Sequence, residues 1–180
     1  MYNGSNPVGL ALDESSGDVR IYGVMPTSTG DWSTTQIVSL RSTDGGQSFQ
    51  EVIIAQGNAN RMVEYPSITT DSNGNIFIVW LRRAYNGTSS GNADVYISKS
   101  TDGGDSYSAP LRVNSNDCES FNWEPHIVVG QSDKLHVVWI CHNSAEIYFA
   151  KSIDSGDSFL AAQLIADGSD YSLGNPRVTA

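Results

Sequence analysis

One eight-residue pattern occurs three times in this chain and constrains the fold more than any other feature. It reads Ser42-Thr43-Asp44-Gly45-Gly46-Gln47-Ser48-Phe49, then Ser100-Thr101-Asp102-Gly103-Gly104-Asp105-Ser106-Tyr107, then Ser152-Ile153-Asp154-Ser155-Gly156-Asp157-Ser158-Phe159. The common form is S-x-D-x-G-x-S-aromatic. A short Asp side chain can accept a hydrogen bond from a backbone N–H two residues on and close a turn. Gly46, Gly104 and Gly156 stand where such a turn needs positive φ. The preceding glycine is dispensable, since Ser155 replaces it in the third copy. The aromatic residue restarts the apolar pattern and is expected to tuck under the turn. Strand-like stretches flank each copy, as in Asp94-Val95-Tyr96-Ile97 before the second and Leu111-Arg112-Val113 after it. Each copy is therefore predicted to join two antiparallel strands. A catalytic role for Asp44, Asp102 and Asp154 fits poorly, because one active site does not need the same acid once per repeat.

A longer period surrounds the motif. Pro7, Pro66 and Pro125 stand 59 residues apart, and Pro176 follows 51 later; each opens a short apolar run. Each of the first three runs meets a turn signal, then a second strand, then a third that leads into the motif and a fourth that leads out. The second strands run from Val19 to Val24, Ile76 to Leu81 and Leu135 to Ile140, and Trp80 and Trp139 hold equivalent places in theirs. Ile76-Phe77-Ile78-Val79-Trp80 is apolar on both faces, as a sheet stacked between two others requires. The expected unit is a four-stranded antiparallel meander, and radial repetition of such units makes a β-propeller.

The motif resembles the Asp-box, or bacterial neuraminidase repeat, of sialidase-like β-propellers. The resemblance runs from about residue 6 to 180. It implies an all-β fold of four-stranded antiparallel blades: a single partial propeller domain over 1–180 with blades at 6–56, 65–115 and 124–166, then the first strand of a fourth at 175–180, together half of a six-bladed ring. Its structural residues are then Ser42, Asp44, Gly46 and Phe49, Ser100, Asp102, Gly104 and Tyr107, and Ser152, Asp154, Gly156 and Phe159. It also implies a secreted glycan-acting propeller of the exo-glycosidase type, inactive as this chain alone, with carbohydrate, including sialylated glycan, as partner and no cofactor. Asp-box propellers also serve as non-catalytic glycan- or protein-binding modules, and that alternative stays open. Sialidases carry an arginine two residues before the first-strand proline of an early blade. The matching positions here are Ser5, Glu64, Trp123 and Gly174, none of them arginine.

In a meander, the loops entering the first strand share one face of the blade with those joining the second and third strands. Loops that vary in length on a rigid scaffold carry function, and residues just before the first strand lie nearest the axis. The candidate ligand-binding residues on that face are Arg61, Glu64, Tyr65, Arg82, Arg83, Asp117, Glu119, Trp123, Glu124 and His142, with Trp32, Tyr85, Tyr171 and Asn175 beside them. Arginine forks bind carboxylates, aromatic rings stack on sugars, and paired carboxylates serve glycoside hydrolysis. Against these roles, loop Arg and Glu are more often simply solvated, and Trp123 is as suited to packing against a neighbouring blade. Cys118 and Cys141 fall on the same face, where a disulfide and two free thiols are equally open. Neither they with His142 nor the turn at 71–75 makes a convincing metal site.

The chain has 180 residues and a net charge of −10, with lysine only at Lys99, Lys134 and Lys151. That charge argues against binding nucleic acid or an anionic membrane by bulk attraction. No run of about 20 apolar residues suggests a membrane helix. A surface rich in Ser, Thr, Asn and Gly is that of an extracellular or periplasmic protein. The first residues lack a signal peptide's basic and apolar regions, so the natural N-terminus is expected to precede Met1. Propellers have about 4–8 blades, so three need either further blades or self-association to close. Light scattering is expected to give a mass above the monomer's 19.4 kDa; a stable monomer speaks against this.

Overall fold

A computed structural model describes residues 9–12, 19–28, 31–85, 90–115, 122–141, 146–167 and 176–179. Three four-stranded antiparallel sheets follow one another along the chain. The first holds β1 (Gly9–Leu12), β2 (Val19–Ser28), β3 (Asp31–Ser42) and β4 (Gln50–Gln56). The second holds β5 (Arg61–Thr70), β6 (Ile76–Tyr85), β7 (Ser90–Ser100) and β8 (Leu111–Arg112). The third holds β9 (Asn122–Val129), β10 (Leu135–Cys141), β11 (Glu146–Ser152) and β12 (Gln163–Ala166). Each sheet keeps its strands in chain order, as a meander must. The one helical element among the described residues is a single 3₁₀ turn at Gln131–Asp133. These are three blades of a β-propeller.

Alternation along the strands decides which residue faces which blade. In β6, Ile76, Ile78 and Trp80 join Tyr22, Val24, Ile37 and Val63 in a core between blades one and two. Phe77, Val79 and Leu81 join Ile127, Leu135, Val137 and Trp139 in a core between blades two and three. Every one of the six β6 residues from Ile76 to Leu81 is buried, so both faces of the strand serve a core. Trp80 stacks on Tyr96 at 6.3 Å and Trp139 on Tyr148 at 6.0 Å, each turned toward the preceding blade.

The repeated turn satisfies its own backbone. Ser42, Ser100 and Ser152 Oγ accept from the N–H of Gly46, Gly104 and Gly156 at 2.8, 2.7 and 2.9 Å. Each of these hydroxyls donates to the Asp Oδ1 two residues on, at 2.7 Å. The Asp Oδ1 accepts from the N–H of Ser48, Ser106 or Ser158, and Oδ2 from the same serine's hydroxyl. The Asp thus clamps the serine four residues on, rather than the N–H two residues on that the sequence suggests. Two successive left-handed residues fold the chain back far enough for that reach: Gly45 and Gly46, Gly103 and Gly104, and Ser155 and Gly156. Ser155 tolerates φ 55 where the other copies use glycine. Tyr107 and Phe159 tuck under as expected, against the core shared with the preceding blade, while Phe49 is 43% exposed.

Neighbouring blades are also joined by polar contacts that repeat. Arg41, just before the first motif, pairs with Asp105 of the second; Lys99, just before the second, pairs with Asp157 of the third. At their first strands, Ser67 Oγ accepts from Ile127 N–H and Thr69 Oγ1 from Val129 N–H, both at 3.3 Å. His126 Nδ1 accepts from Val178 N–H at 3.4 Å. Residues 176–179 therefore lie on blade three as the first strand of blade three lies on blade two, although no sheet pairing forms there. The surface ion pairs are worth only about 0–1 kcal/mol each; they align the blades more than they stabilise them.

Hydrogen bonds from the Ser48, Ser106 and Ser158 hydroxyls, chiefly, hold the three motif carboxyls far below the usual range, Asp154 at about 2. A carboxyl whose folded pKa is depressed stabilises the fold above its unfolded value, here near 3.8, and that contribution vanishes as pH falls through the folded value. The melting temperature is expected to hold from neutral pH to about 5 and to drop between about 4 and 2; a flat profile across that acid range contradicts the clamp. Ser100→Ala removes the buried acceptor of Gly104 N–H and is expected to cost about 1–3 kcal/mol, read from urea unfolding.

Candidate functional site

β5 and β9 both break register at the same repeat position. The pairing of β5 with β6 slips between Glu64 and Ser67, and β10 slips against β9 between Val138 and Ile140. Within each slip a non-glycine residue takes a left-handed backbone: Tyr65 at φ 54 and Glu124 at φ 47, each immediately before the repeat's proline. A side chain held there costs about 1–3 kcal/mol, and such strain concentrates at functional sites. Arg61, Glu64, Tyr65, Trp123 and Glu124 thus lie inside first strands that begin at Arg61 and Asn122, rather than in loops ahead of them. The bulge lets the strand continue past the proline, which is why the sequence places its start too late.

The bulges bring two blades together. The Tyr65 and Trp123 rings lie 4.7 Å apart with their planes tilted by 49°. Both are half-buried against the core between blades two and three. Beside them Arg83 Nη2 donates to Glu64 Oε1 at 2.8 Å. Glu64 is fully buried and the Arg83 side chain is 13% exposed. The same guanidinium sits 6.0 Å from the Trp123 ring centre and touches Met62 Sδ at 3.9 Å. Glu64 Oε2, Arg83 Nε and Asn122 Oδ1 are buried with no hydrogen-bond partner among the described residues. Burial, then the charges of Glu64 and Glu124, push the Tyr65 hydroxyl up to about 12 against the opposing pull of Arg83. It is therefore a neutral donor at physiological pH.

Alternation separates the remaining candidates. Arg82 points to the other face of β6, 5.6 Å from the Tyr96 ring, on the side of blade one. It does not join the cluster; its neighbour Arg83 does. Arg61 is exposed at the start of β5. Asp117, Glu119, His142, Tyr171 and Asn175 lie outside the described residues, as do the side chains of Trp32 and Tyr85. Cys141 is buried and disulfide-bonded; Cys118, the only other cysteine, lies outside the described residues. The 71–75 turn is a self-satisfied hairpin, with Asp71 Oδ1 accepting from the N–H of Asn73 and Asn75. Among the described residues no group of three or more His, Cys, Asp or Glu is placed to hold a metal ion. Sequence reasoning missed Asn122, whose Nδ2 donates to Ala93 O across the blade boundary at 2.6 Å; its place before a Trp-Glu-Pro run was the available signal.

Solved structures share this architecture. An α-L-arabinanase from Penicillium chrysogenum, complexed with arabinobiose, matches at TM-score 0.61 and 15% identity over 94% of this chain and 49% of its own. The native arabinanase of Bacillus subtilis matches at 0.57 and 14% identity, over 95% of this chain and 63% of its own. A sialidase from Streptococcus pneumoniae matches at 0.52 and 16% identity, over 86% and 23%. This chain thus spans less than two thirds of each of these three proteins, and at such identities the likeness is one of fold. No protein-family model and no curated protein matches the sequence.

The buried pair carries its own test. Glu64→Ala strands a guanidinium in the interface and is expected to cost about 3–5 kcal/mol. Replacing both partners, Glu64→Gln with Arg83→Met, is expected to recover most of that loss in denaturant unfolding. A double variant no more stable than Glu64→Ala contradicts the coupling.

Proposed function

We propose that this chain is part of an extracellular or periplasmic glycan-acting β-propeller, and that the surface around Tyr65, Trp123 and Glu124 contacts the sugar. The observation that carries this reading is the tilted Tyr65–Trp123 pair, held across two blades by two strained bulges. Two rings that are only partly buried offer a stacking platform, and a few fixed polar groups beside them set orientation. The fold of the arabinanases and the sialidase is consistent with it. A disulfide at Cys141 suits an oxidising compartment. Among the described residues no helix is long and apolar enough to cross a membrane.

Recognition is better supported than hydrolysis by this chain alone. Glycoside hydrolysis uses two carboxyl groups flanking the scissile bond. Of the carboxyls near the rings among the described residues, Glu64 is buried and tied to Arg83, a poor arrangement for a proton donor. Any hydrolysis then draws on carboxyls elsewhere. The same observation favours the second reading, a non-catalytic glycan- or protein-binding propeller. That Arg82 and Arg83 face opposite sides of their strand supports the reading that Arg61, Arg82, Arg83 and Arg177 do not form the arginine set of a sialidase.

Trp123→Ala is expected to abolish or strongly weaken binding on a glycan array while the chain stays folded by circular dichroism. A fluorogenic sialoside is expected to show no turnover with the wild-type chain. Unchanged glycan binding by Trp123→Ala returns that ring to blade packing alone, and sialoside turnover overturns the assignment of recognition without hydrolysis.

A further inference from the structure

The boundary after blade three differs from the one before it at two repeat positions. Between blades two and three, Ser67 Oγ accepts from Ile127 N–H and Thr69 Oγ1 from Val129 N–H. Ser67 stands one residue after its repeat's proline, and Ile127 two after the next. The same offsets one repeat on give His126 and Val178, and there His126 Nδ1 accepts from Val178 N–H at 3.4 Å. The contact is kept while its acceptor changes from a hydroxyl to an imidazole. The counterpart of Thr69 is Val128, whose side chain has no acceptor. Of the two side-chain acceptors at the second boundary, one remains at the third.

A second histidine lies on the same face. Phe77 and His136 each stand three residues before the tryptophan of their strand. Phe77 is fully buried in the core with blade three. His136 is partly exposed and meets Phe149 edge-on at 5.6 Å. The pairing of β9 with β10 sets Val138 opposite His126 and Val128 opposite His136, so the two imidazoles are diagonal neighbours on one face of the sheet.

A hydroxyl accepts a hydrogen bond at any pH. An imidazole Nδ1 accepts only in the neutral ring with its proton on Nε2, and both nitrogens donate once the ring is charged. Protonation of His126 therefore sets one N–H against another. The charged groups that face these rings are also cations: Arg177 beside His126, and Lys151 and Lys134 beside His136. Glu124, the acid nearest to His126 in β9, lies in the bulge and acts on Tyr65. Burial first, and then those cations, hold both imidazoles below their ordinary 6.5. A histidine depressed in this way stabilises the docked state fully above 6.5, and the contribution is lost as pH falls through the lowered value.

We propose that the outer face of blade three is a docking surface for residues 176–179 that closes at neutral pH and opens in mild acid, with His126 as the group that switches it. The second boundary, built with Ser67 and Phe77, stays closed over the same range. One end of the stack then loosens without unfolding, since the motif carboxylates keep their turns to far lower pH.

NMR relaxation of the ¹⁵N-labelled whole chain at about pH 7.5 and about pH 5 tests this. The order parameter of the Val178 amide is expected to be about 0.85 at the higher pH and below about 0.6 at the lower, with a midpoint that matches the titration of the His126 ring. Val129, seated by Thr69, is expected to stay near about 0.85 at both. His126→Ser supplies the acceptor that blade two uses and is expected to keep Val178 ordered at both pH values. If that variant does not fold, His126→Gln offers an amide oxygen that accepts at every pH, with the same result expected. A wild-type Val178 equally ordered at both pH values, or mobile at both, overturns the proposal. An acid loss of order that persists in a folded His126→Ser or His126→Gln chain also overturns it, because another group then carries the titration.

Discussion

Everything in this molecule depends on burying both faces of a β-sheet. A four-stranded meander with apolar residues on both sides has no stable existence alone, since each face must exclude water against another sheet. Full burial of a Val, Leu, Ile or Phe side chain is worth about 1.5–3 kcal/mol, and β6 buries six consecutive residues. Stacking blades is the arrangement in which such a strand serves two cores at once. The self-satisfied turns follow from the same demand. Ser100 supplies the acceptor for the buried Gly104 N–H, while Asp102 fixes the exposed outer half of the turn through Ser106.

The site grows from a departure within that regularity. Two strands that would otherwise continue evenly are broken by left-handed residues ahead of a proline, and the break turns Tyr65 toward the next blade's Trp123. The ion pair below the rings is a buried charge pair of the kind that seldom adds stability over an apolar substitute.

The fold was legible because its signals are local and repeated. A turn motif in three copies and prolines at a fixed spacing define the meander without any long-range information. The site was only partly legible. Glu64, Tyr65, Trp123 and Glu124 were found from their offset to the proline, but Glu64 reads as an ordinary solvated loop residue, and no feature of Glu64-Tyr65-Pro66 announces a positive φ at a tyrosine. Arg82 and Arg83 are indistinguishable in a loop. Only the extension of β6 through Tyr85 gives them opposite faces and sends one of them to the site. The reach of the motif aspartates was misjudged for a similar reason: the side chain bonds to a residue brought back by two left-handed positions, a consequence of geometry that letter spacing does not display.

The contacts between blades run in one direction. The cation before one motif meets the acid of the next, and the motif aromatic of a later blade packs back on the core of the earlier one. Coupling is therefore between nearest neighbours, and stability is a sum over boundaries rather than a property of one shared core. In such a stack the middle blade is held from both sides. Its amide hydrogens should exchange last, and opening should begin at an outer sheet and stop at the next boundary. The Tyr65–Trp123 site straddles the second boundary, so its ligand would act as a clasp on that boundary, slowing its opening while leaving the first to breathe at its own rate.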